Sequence, residues 1–155
     1  MKRGDKKMNY SINVFLEQNI EFSTFLRQQI REYNNKHSIH HREKRKDGSV
    51  QPINIIVLDS EKQWVGGISA EVYWNWVEIN DFWLKEEYRG KGLGGNLLDV
   101  VETKAKEKGA KKALLSTFEF QARKFYEIHQ YRVVGEIKDY PPGSSYYTMV
   151  KELTQ

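Results

Sequence analysis

The chain has 155 residues, a formal net charge of +4 and no cysteine, which excludes disulfides, a cysteine nucleophile and cysteine-based metal sites. Hydrophobic residues make up 39% and charged residues 30% of the sequence, a balance typical of one folded domain and too apolar for general disorder. Residues 1–8 are charged, and no run of about 18 apolar residues follows, so neither a signal peptide nor a membrane helix is predicted. We expect a cytoplasmic domain over 9–155 behind a basic, flexible tail over 1–8.

The first fifty residues predict a strand, a helix and a loop. Residues 10–16 alternate apolar and polar side chains, as a strand does, and from about Asn19 the apolar residues take up helical spacing. The stretch 36–52 is polar and basic and contains Gly48 and Pro52. We therefore expect a long loop there, with at most a short helical turn, and we regard it as a candidate segment on the substrate side.

The middle of the chain predicts an antiparallel meander. The predicted strands cover 53–58, 64–74 and 76–84. Asn75 lies at the expected hairpin turn, and Gly66 and Gly67 mark a bulge or a close approach of two backbones.

The last third of the chain predicts a βαβ unit followed by a helix and two strands. The predicted elements are a helix over 94–108, a strand over 113–118, a helix over 121–129, and strands over 131–137 and 146–153. The strands before and after the first of these helices should be parallel. The predicted order is β-α-β-β-β-α-β-α-β-β, an α/β fold with a mixed central sheet of six or seven strands and flanking helices.

A glycine-rich segment lies between the strand 76–84 and the helix that follows it. Four glycines fall within the six residues 90–95, and Arg89 and Lys91 add positive charge. Glycine leaves the backbone amides open to a ligand, and the unpaired N–H groups of a helix start attract anions. The segment therefore predicts a pyrophosphate site. It lacks the Gly-Lys-Ser/Thr ending of a P-loop, and no acidic residue follows where a dinucleotide-binding unit would require one.

Arg89-Gly90-Lys91-Gly92-Leu93-Gly94 resembles the acetyl-CoA signature of the GNAT superfamily of N-acetyltransferases, Arg/Gln-x-x-Gly-x-Gly/Ala. The C-terminal motif of that family is similar to Ala122 followed by Phe125-Tyr126-Glu127. The resemblance covers about residues 10–153, and the segment Tyr140-Pro141-Pro142-Gly143 is similar to a bacterial single-domain subgroup. It implies the GNAT fold and an N-acetyltransferase that uses acetyl-CoA as co-substrate.

The resemblance also implies roles for individual residues. Main-chain groups of Phe82, Trp83 and Leu84 would pair with the pantetheine arm, and Tyr126 would protonate the departing thiolate. Backbone amides would hold the pyrophosphate at Arg89, Gly90, Lys91, Gly92, Leu93, Gly94 and Gly95. Many members carry an asparagine where this chain has Glu119, so that role is not transferred.

The implied reaction is direct attack of a primary amine, on a small molecule or a peptide, on the thioester within a ternary complex. It needs no nucleophilic side chain, in agreement with the lack of cysteine. A base must deprotonate the amine. Glu78 is the first candidate, because some relatives place a catalytic glutamate there. Asp81 and Glu119 stay open, since a bulge would change which side chains share a face.

Other interpretations compete with an enzyme. A domain that binds acyl-CoA without turnover, as a sensor or scaffold, would carry the same glycine-rich segment. A nucleic-acid-binding module is favoured by the basic residues 42–46 but lacks a recognised motif. His37, His40 and His41 lack the further ligands of a metal site, so no metal is expected. The resemblance is compatible with a homodimer, and no membrane partner is expected.

Overall fold

The computed structural model describes residues 9–153, and the predicted tail over 1–8 lies outside them. The helices are α1 (Ile20–His37), α2 (Ile39–Lys44), α3 (Leu93–Glu107) and α4 (Arg123–Ile128), with a 3₁₀ turn at Glu86–Tyr88. The strands are β1 (Gln51–Leu58), β2 (Trp64–Tyr73), β3 (Trp76–Leu84), β4 (Lys112–Phe118), β5 (Arg132–Lys138) and β6 (Ser145–Glu152). No helix of the described residues is long and apolar enough to span a membrane.

The six strands form one mixed sheet in the order β1-β2-β3-β4-β6-β5. Neighbouring strands are antiparallel except β3 and β4, which are parallel because α3 carries the chain back across the sheet between them. The predicted βαβ unit is therefore confirmed. The predicted hairpin is confirmed too, since Trp74 and Asn75 both have positive φ between β2 and β3.

The core lies between α3 and one face of the sheet. Leu97, Leu98, Val101 and Ala105 recur at helical spacing on α3 and are buried against the strands. Beside them the buried Glu102 accepts hydrogen bonds from the Tyr131 hydroxyl at 3.0 Å and from the Lys151 ammonium at 2.7 Å. These bonds join α3 to β6 and to the residue before β5, and they satisfy a carboxylate that would be costly to bury alone.

Two close backbone contacts fix the glycines of β2. A Cβ on Gly66 would lie 2.5 Å from the carbonyl oxygen of Trp83, and one on Gly67 would lie 2.0 Å from that of Ile55. No side chain fits at either position, which confirms the predicted close approach of backbones.

The strand predicted over 10–16 is absent, because those residues pair with no other strand. Tyr10, Ile12, Val14, Phe15 and Leu16 are all 78–96% exposed. Alternating side chains are compatible with a strand, but a strand also needs a hydrogen-bonding partner, and the described residues offer none here. The observed order therefore begins with two helices where the predicted order begins with a strand and a helix.

About half of the loop predicted over 36–52 is helical. Helix α1 continues to His37, and Ser38 then starts α2 by accepting a hydrogen bond from the backbone N–H of His41. Serine is a strong N-cap residue, so the break between α1 and α2 is one residue long. Apart from Ser38, the part of 36–52 that lacks helix and strand is the short connection from Arg45 to Val50.

Candidate active site

A fork in the sheet opens between β3 and β4. The two parallel strands pair only from Trp76–Glu78 to Lys112–Leu114, and beyond these residues they diverge. Strand β3 stays paired with β2 as far as Leu84, and β4 stays paired with β6 as far as Phe118. Only the facing edges of the two strands are therefore left open, and each offers unpaired main-chain groups to a ligand.

A bulge in the pairing of β2 with β3 sets which side chains face which way. Ile79 pairs with Ala70 while Asp81 pairs with Ser69, so Asn80 is an extra residue in β3. Directly paired residues share a face of the sheet. Glu78 therefore lies on the same face as Asp81, opposite to the core. The sequence alone left open which of these side chains share a face.

The glycine-rich segment runs from the end of β3 into α3 beside the fork. Gly90 has φ 70° and Gly92, the N-cap of α3, has φ 84°. A Cβ on either residue would meet nothing within 4 Å, so these two glycines are required by backbone conformation and not by packing. The space beside them is open to a ligand at the positive end of the α3 dipole.

The next two glycines have a different function. A Cβ on Gly94 would lie 3.2 Å from the Phe125 ring, and one on Gly95 would lie 2.6 Å from the His129 ring. Both rings project from α4 or its C-cap, so these glycines let the end of that helix approach the first turn of α3. Part of the glycine run is thus explained by packing, a contribution that the sequence did not reveal.

Arg89 and Lys91 stabilise the glycine-rich segment through hydrogen bonds to backbone carbonyl groups. The Arg89 guanidinium donates from Nε to the carbonyl oxygen of Leu84 at 2.7 Å, which ties the loop to the end of β3. The Lys91 ammonium donates to the carbonyl oxygen of Glu87 at 3.0 Å. Leu93 packs against the core. Of these three residues only Arg89 lines the cavity in the fork.

The fork holds a cavity of about 1240 Å³. A pocket for one drug-sized ligand is usually about 300–1,000 Å³, so this cavity is large enough for a cofactor and an acceptor together. The predicted site residues that line it are Glu78, Phe82, Trp83, Leu84, Arg89, Gly90, Gly92, Gly94, Gly95 and Tyr126. Lys91 and Leu93 do not line it, so their predicted role rests on their backbone amides alone.

Tyr126 lies on α4 with only 7% of its surface exposed, and it lines the cavity. Its ring packs edge-on against Phe125 and Tyr131. Burial alone raises the pKa of the Tyr126 hydroxyl to about 12. The hydroxyl is therefore protonated at neutral pH and available as a proton donor.

The three candidate bases differ in their surroundings. Glu78 and Asp81 line the cavity, and Glu78 accepts a hydrogen bond from the Tyr73 hydroxyl. Burial, followed by the hydrogen bond and negative charge of Glu78, raises the pKa of Tyr73 to about 12. Glu119 is not among the lining residues and forms an ion pair with Arg123 at 3.7 Å. The geometry favours the two carboxylates of β3.

Two features of the cavity were missed by the sequence reasoning. His129 lines the cavity next to the start of α3, and its ring packs 4.7 Å from that of Phe125. An aromatic cluster lies at the β4 and β6 side, where the rings of Phe118 and Tyr146 are 4.8 Å apart. Phe120 and Tyr140 stack against Phe118. The only sequence signal for the cluster was Tyr140, in the segment Tyr140-Pro141-Pro142-Gly143.

The histidines of α1 and α2 pack against aromatic rings. His37 lies against Tyr33 at 4.3 Å and His41 against Trp74 at 4.8 Å. Among residues 9–153 no group of three or more His, Asp or Glu side chains is placed to hold a metal ion.

The forked sheet and the open start of α3 define an α/β domain with a cleft of cofactor size. The model of the acetyltransferase (GNAT) family matches residues 17–131, and the chain belongs to this family. The resemblance carried by the segment Arg89–Gly94 is thereby confirmed.

The chain is also similar to one named relative and to two solved structures. It is 38% identical to a blasticidin-S acetyltransferase of Streptomyces morookaense over 89 residues, 57% of this chain and 65% of that protein. The match thus spans less than two thirds of the relative's length. An acetyltransferase structure from Bacillus cereus superposes with a TM-score of 0.76 at 27% identity, covering 90% of this chain and 97% of that one. A Bacillus anthracis structure solved with acetyl coenzyme A gives 0.58 at 24% identity, covering 77% and 71%.

Proposed function

We propose that the chain is an N-acetyltransferase that transfers the acetyl group of acetyl-CoA directly to a primary amine. The observation that supports this most is the fork between β3 and β4, which opens at the N-terminus of α3. An elongated ligand with a phosphate group at one end and an acyl group at the other fits this shape. Family membership and the acetyl coenzyme A bound in one structural neighbour support the same ligand.

Main-chain groups of the glycine-rich segment and β3 would hold the cofactor. The amides of Arg89–Gly95 would bind the pyrophosphate, helped by the α3 dipole and by the free N–H groups of the Arg89 guanidinium. The open edge of β3 at Phe82, Trp83 and Leu84 would pair with the amide groups of the pantetheine arm. When bound, acetyl-CoA supplies an activated acyl group.

Tyr126 and Glu78 would move the protons. The Tyr126 hydroxyl is neutral and lines the cavity, so it would donate to the sulfur as the carbon–sulfur bond breaks. Glu78 lies where the pairing of β3 and β4 ends, on the face opposite to the core. Its carboxylate would take the proton from the attacking amine, directly or through a water molecule. The Tyr73 hydroxyl would hold that carboxylate in place.

The walls of the cavity favour an acceptor that is cationic and partly apolar. Glu78 and Asp81 supply negative charge on one side, and the rings of Phe118, Phe120 and Tyr146 supply apolar surface on the other. An ammonium group is attracted both by carboxylates and by aromatic faces. The Streptomyces relative is named for acetylating blasticidin S, so that compound is the first acceptor to test.

A thiol-release assay tests this proposal. The chain has no cysteine, so a thiol reagent reports only CoA that turnover sets free. We expect CoA release from acetyl-CoA to depend on blasticidin S or on another amine of a panel of small primary amines and lysine peptides. Tight binding of acetyl-CoA without amine-dependent release for any member of the panel would instead identify a sensor or scaffold.

A further inference from the structure

One face of the sheet is left uncovered by the described residues 9–153 of its own chain. Helix α3 packs on the core face of β1–β3, and the opposite face carries Ile56, Leu58, Trp64 and Trp83. These side chains are 57%, 49%, 80% and 57% exposed. They are neighbours, because Ile56 pairs with Gly67, which pairs with Trp83, and Leu58 pairs with Trp64. We call this patch the outer face.

Helix α1 has the complementary surface and is also uncovered. Its apolar stripe consists of Phe22, Phe25, Leu26, Ile30 and Tyr33, all between 43% and 65% exposed. None of its 18 residues is buried, and α1 packs mainly against α2. An amphipathic helix of this kind normally owes its stability to an apolar face packed on another layer.

The total surface shows how much packing is missing. The chain exposes 12623 Å², whereas a compact monomer of 18.3 kDa exposes about 8,100 Å². Even an allowance of about 160 Å² for every residue outside 9–153 leaves an excess of roughly 3,000 Å². Residues 9–37 account for much of this excess, because their apolar side chains lie in water.

Helix α2 directs α1 away from the sheet of its own chain. It is anchored at the hairpin end of the outer face, where the Lys44 ammonium lies 3.5 Å from the centre of the Tyr73 ring and His41 packs on Trp74. Only Ser38, in an extended conformation, connects α2 to α1. Its backbone N–H bonds to Asn34 and its side chain caps α2, so the angle between the two helices is held.

We propose that a second copy of this chain covers the outer face with its α1, and that the exchange is reciprocal. A twofold pair of this kind buries both unpartnered surfaces of both chains and closes on itself. The helix stripe and the outer face together expose roughly 1,000 Å² per chain, taking about 150–250 Å² for each large side chain. A standard interface buries about 800 Å² per partner, so the area suffices for a stable dimer.

Light scattering on a sizing column tests the assembly. The wild-type chain at about 50 µM should have twice the 18.3 kDa mass of one chain. The triple variant Phe22→Ser, Phe25→Ser, Ile30→Ser should run as a monomer, and its core should fold because none of these side chains is buried. The matched control Glu21→Ser, Gln28→Ser, Arg31→Ser changes the opposite side of α1 and should stay dimeric. A monomeric wild type, or a dimer that survives the first variant, overturns the proposal.

Cysteine cross-linking distinguishes exchange from docking within one chain. Because the chain has no cysteine, Phe25→Cys and Trp83→Cys introduce unique thiols. We mix the two variants, with a mass tag on one, and add a flexible bismaleimide. Exchange predicts a covalent product that joins one tagged and one untagged chain. If this product is missing while the double variant cross-links inside a single chain, α1 covers its own sheet and the proposal is wrong.

Discussion

Tyr126 combines two properties: it is almost fully buried, and it lines the large cleft. The first property keeps its proton in place, since burial raises the pKa of the hydroxyl to about 12. The second brings that proton to the fork where the thiolate would form. The hydroxyl, neutral at pH 7 even with its ordinary pKa, therefore stays neutral to higher pH, and no charged neighbour contributes to this shift.

Replacement of Tyr126 with phenylalanine should lower kcat about 10²- to 10³-fold, the contribution typical of a general acid. The affinity for acetyl-CoA should change less than about twofold, because the ring that packs against Phe125 and Tyr131 is kept. Single-turnover kinetics and calorimetry measure the two quantities.

Tyr131→Phe is the matched control, because it removes the same atom from a buried site in the same cluster. It breaks the hydrogen bond to Glu102 and should cost about 1–2 kcal/mol of unfolding free energy. Turnover per folded molecule should be unchanged. Equal losses of turnover in both variants would show that the Tyr126 hydroxyl acts through stability and not through proton transfer.

Glu78→Gln should lower kcat/KM about 10²-fold, because an amide cannot accept the amine proton. The amide oxygen can still accept the hydrogen bond from Tyr73, so the local structure should persist. Asp81→Asn, on the same face, removes a charge that attracts the amine but no base, so it should raise KM and change kcat less than about threefold. The reverse pattern of losses, measured in the thiol-release assay, would assign the base to Asp81.

A glycine with positive φ lies at each end of helix α3, and the surroundings of the two glycines differ. Gly92 at its start has φ 84° and Gly109 just past its end has φ 91°, and a Cβ on either would meet nothing within 4 Å. Alanine at either position should therefore cost about 1–2 kcal/mol of unfolding free energy, the penalty for a left-handed conformation. Only Gly92 faces the fork.

Gly92→Ala should accordingly weaken the binding of acetyl-CoA at least tenfold, while Gly109→Ala should leave it unchanged. Urea unfolding and calorimetric titration of both variants give the comparison. If both variants bind acetyl-CoA like the wild type, the glycine-rich segment does not hold the pyrophosphate.

Some elements could be predicted from the sequence because the spacing of their apolar side chains shows which face is buried. Their partners also lie nearby in the chain. The buried stripe of α3 and the meander with its turn at Asn75 are of this kind. The prediction of a strand over 10–16 was wrong, because strand formation depends on pairing with the edge of a sheet that is distant in the chain. The segment 36–52 contains more helix than the short turn predicted there, because the Ser38 cap was not recognised as the start of a second helix.

Parts of the candidate site could also be predicted from the sequence, and other parts could not. The phosphate segment and Tyr126 could be predicted because they lie in contiguous motifs. The fork could not, since it depends on where β3 and β4 stop pairing, and neither could the packing of His129 on Gly95, which joins residues far apart in the chain.

For the molecule as a whole, buried tyrosines predict a loss of stability in alkali. Tyr73 and Tyr126 have pKa values raised to about 12, above the value near 10 of an unfolded chain. Their contribution is complete below pH 10 and is lost as the pH rises towards 12. The Tyr126 contribution amounts to about 2–3 kcal/mol. Urea unfolding at pH 9 to 12 should show a shallower decline for Tyr126→Phe, and parallel curves for the two proteins would contradict this explanation.

Calorimetric titration decides whether the fork between β3 and β4 binds acetyl-CoA. The purified chain is titrated with acetyl-CoA, with ATP and NADH as phosphate-bearing controls. We expect micromolar affinity for acetyl-CoA and none for the controls, because only acetyl-CoA has both a pyrophosphate for the start of α3 and a pantetheine arm for the open edge of β3. Equal binding of all three ligands, or no binding of acetyl-CoA, would contradict the assignment of the fork and the function proposed from it.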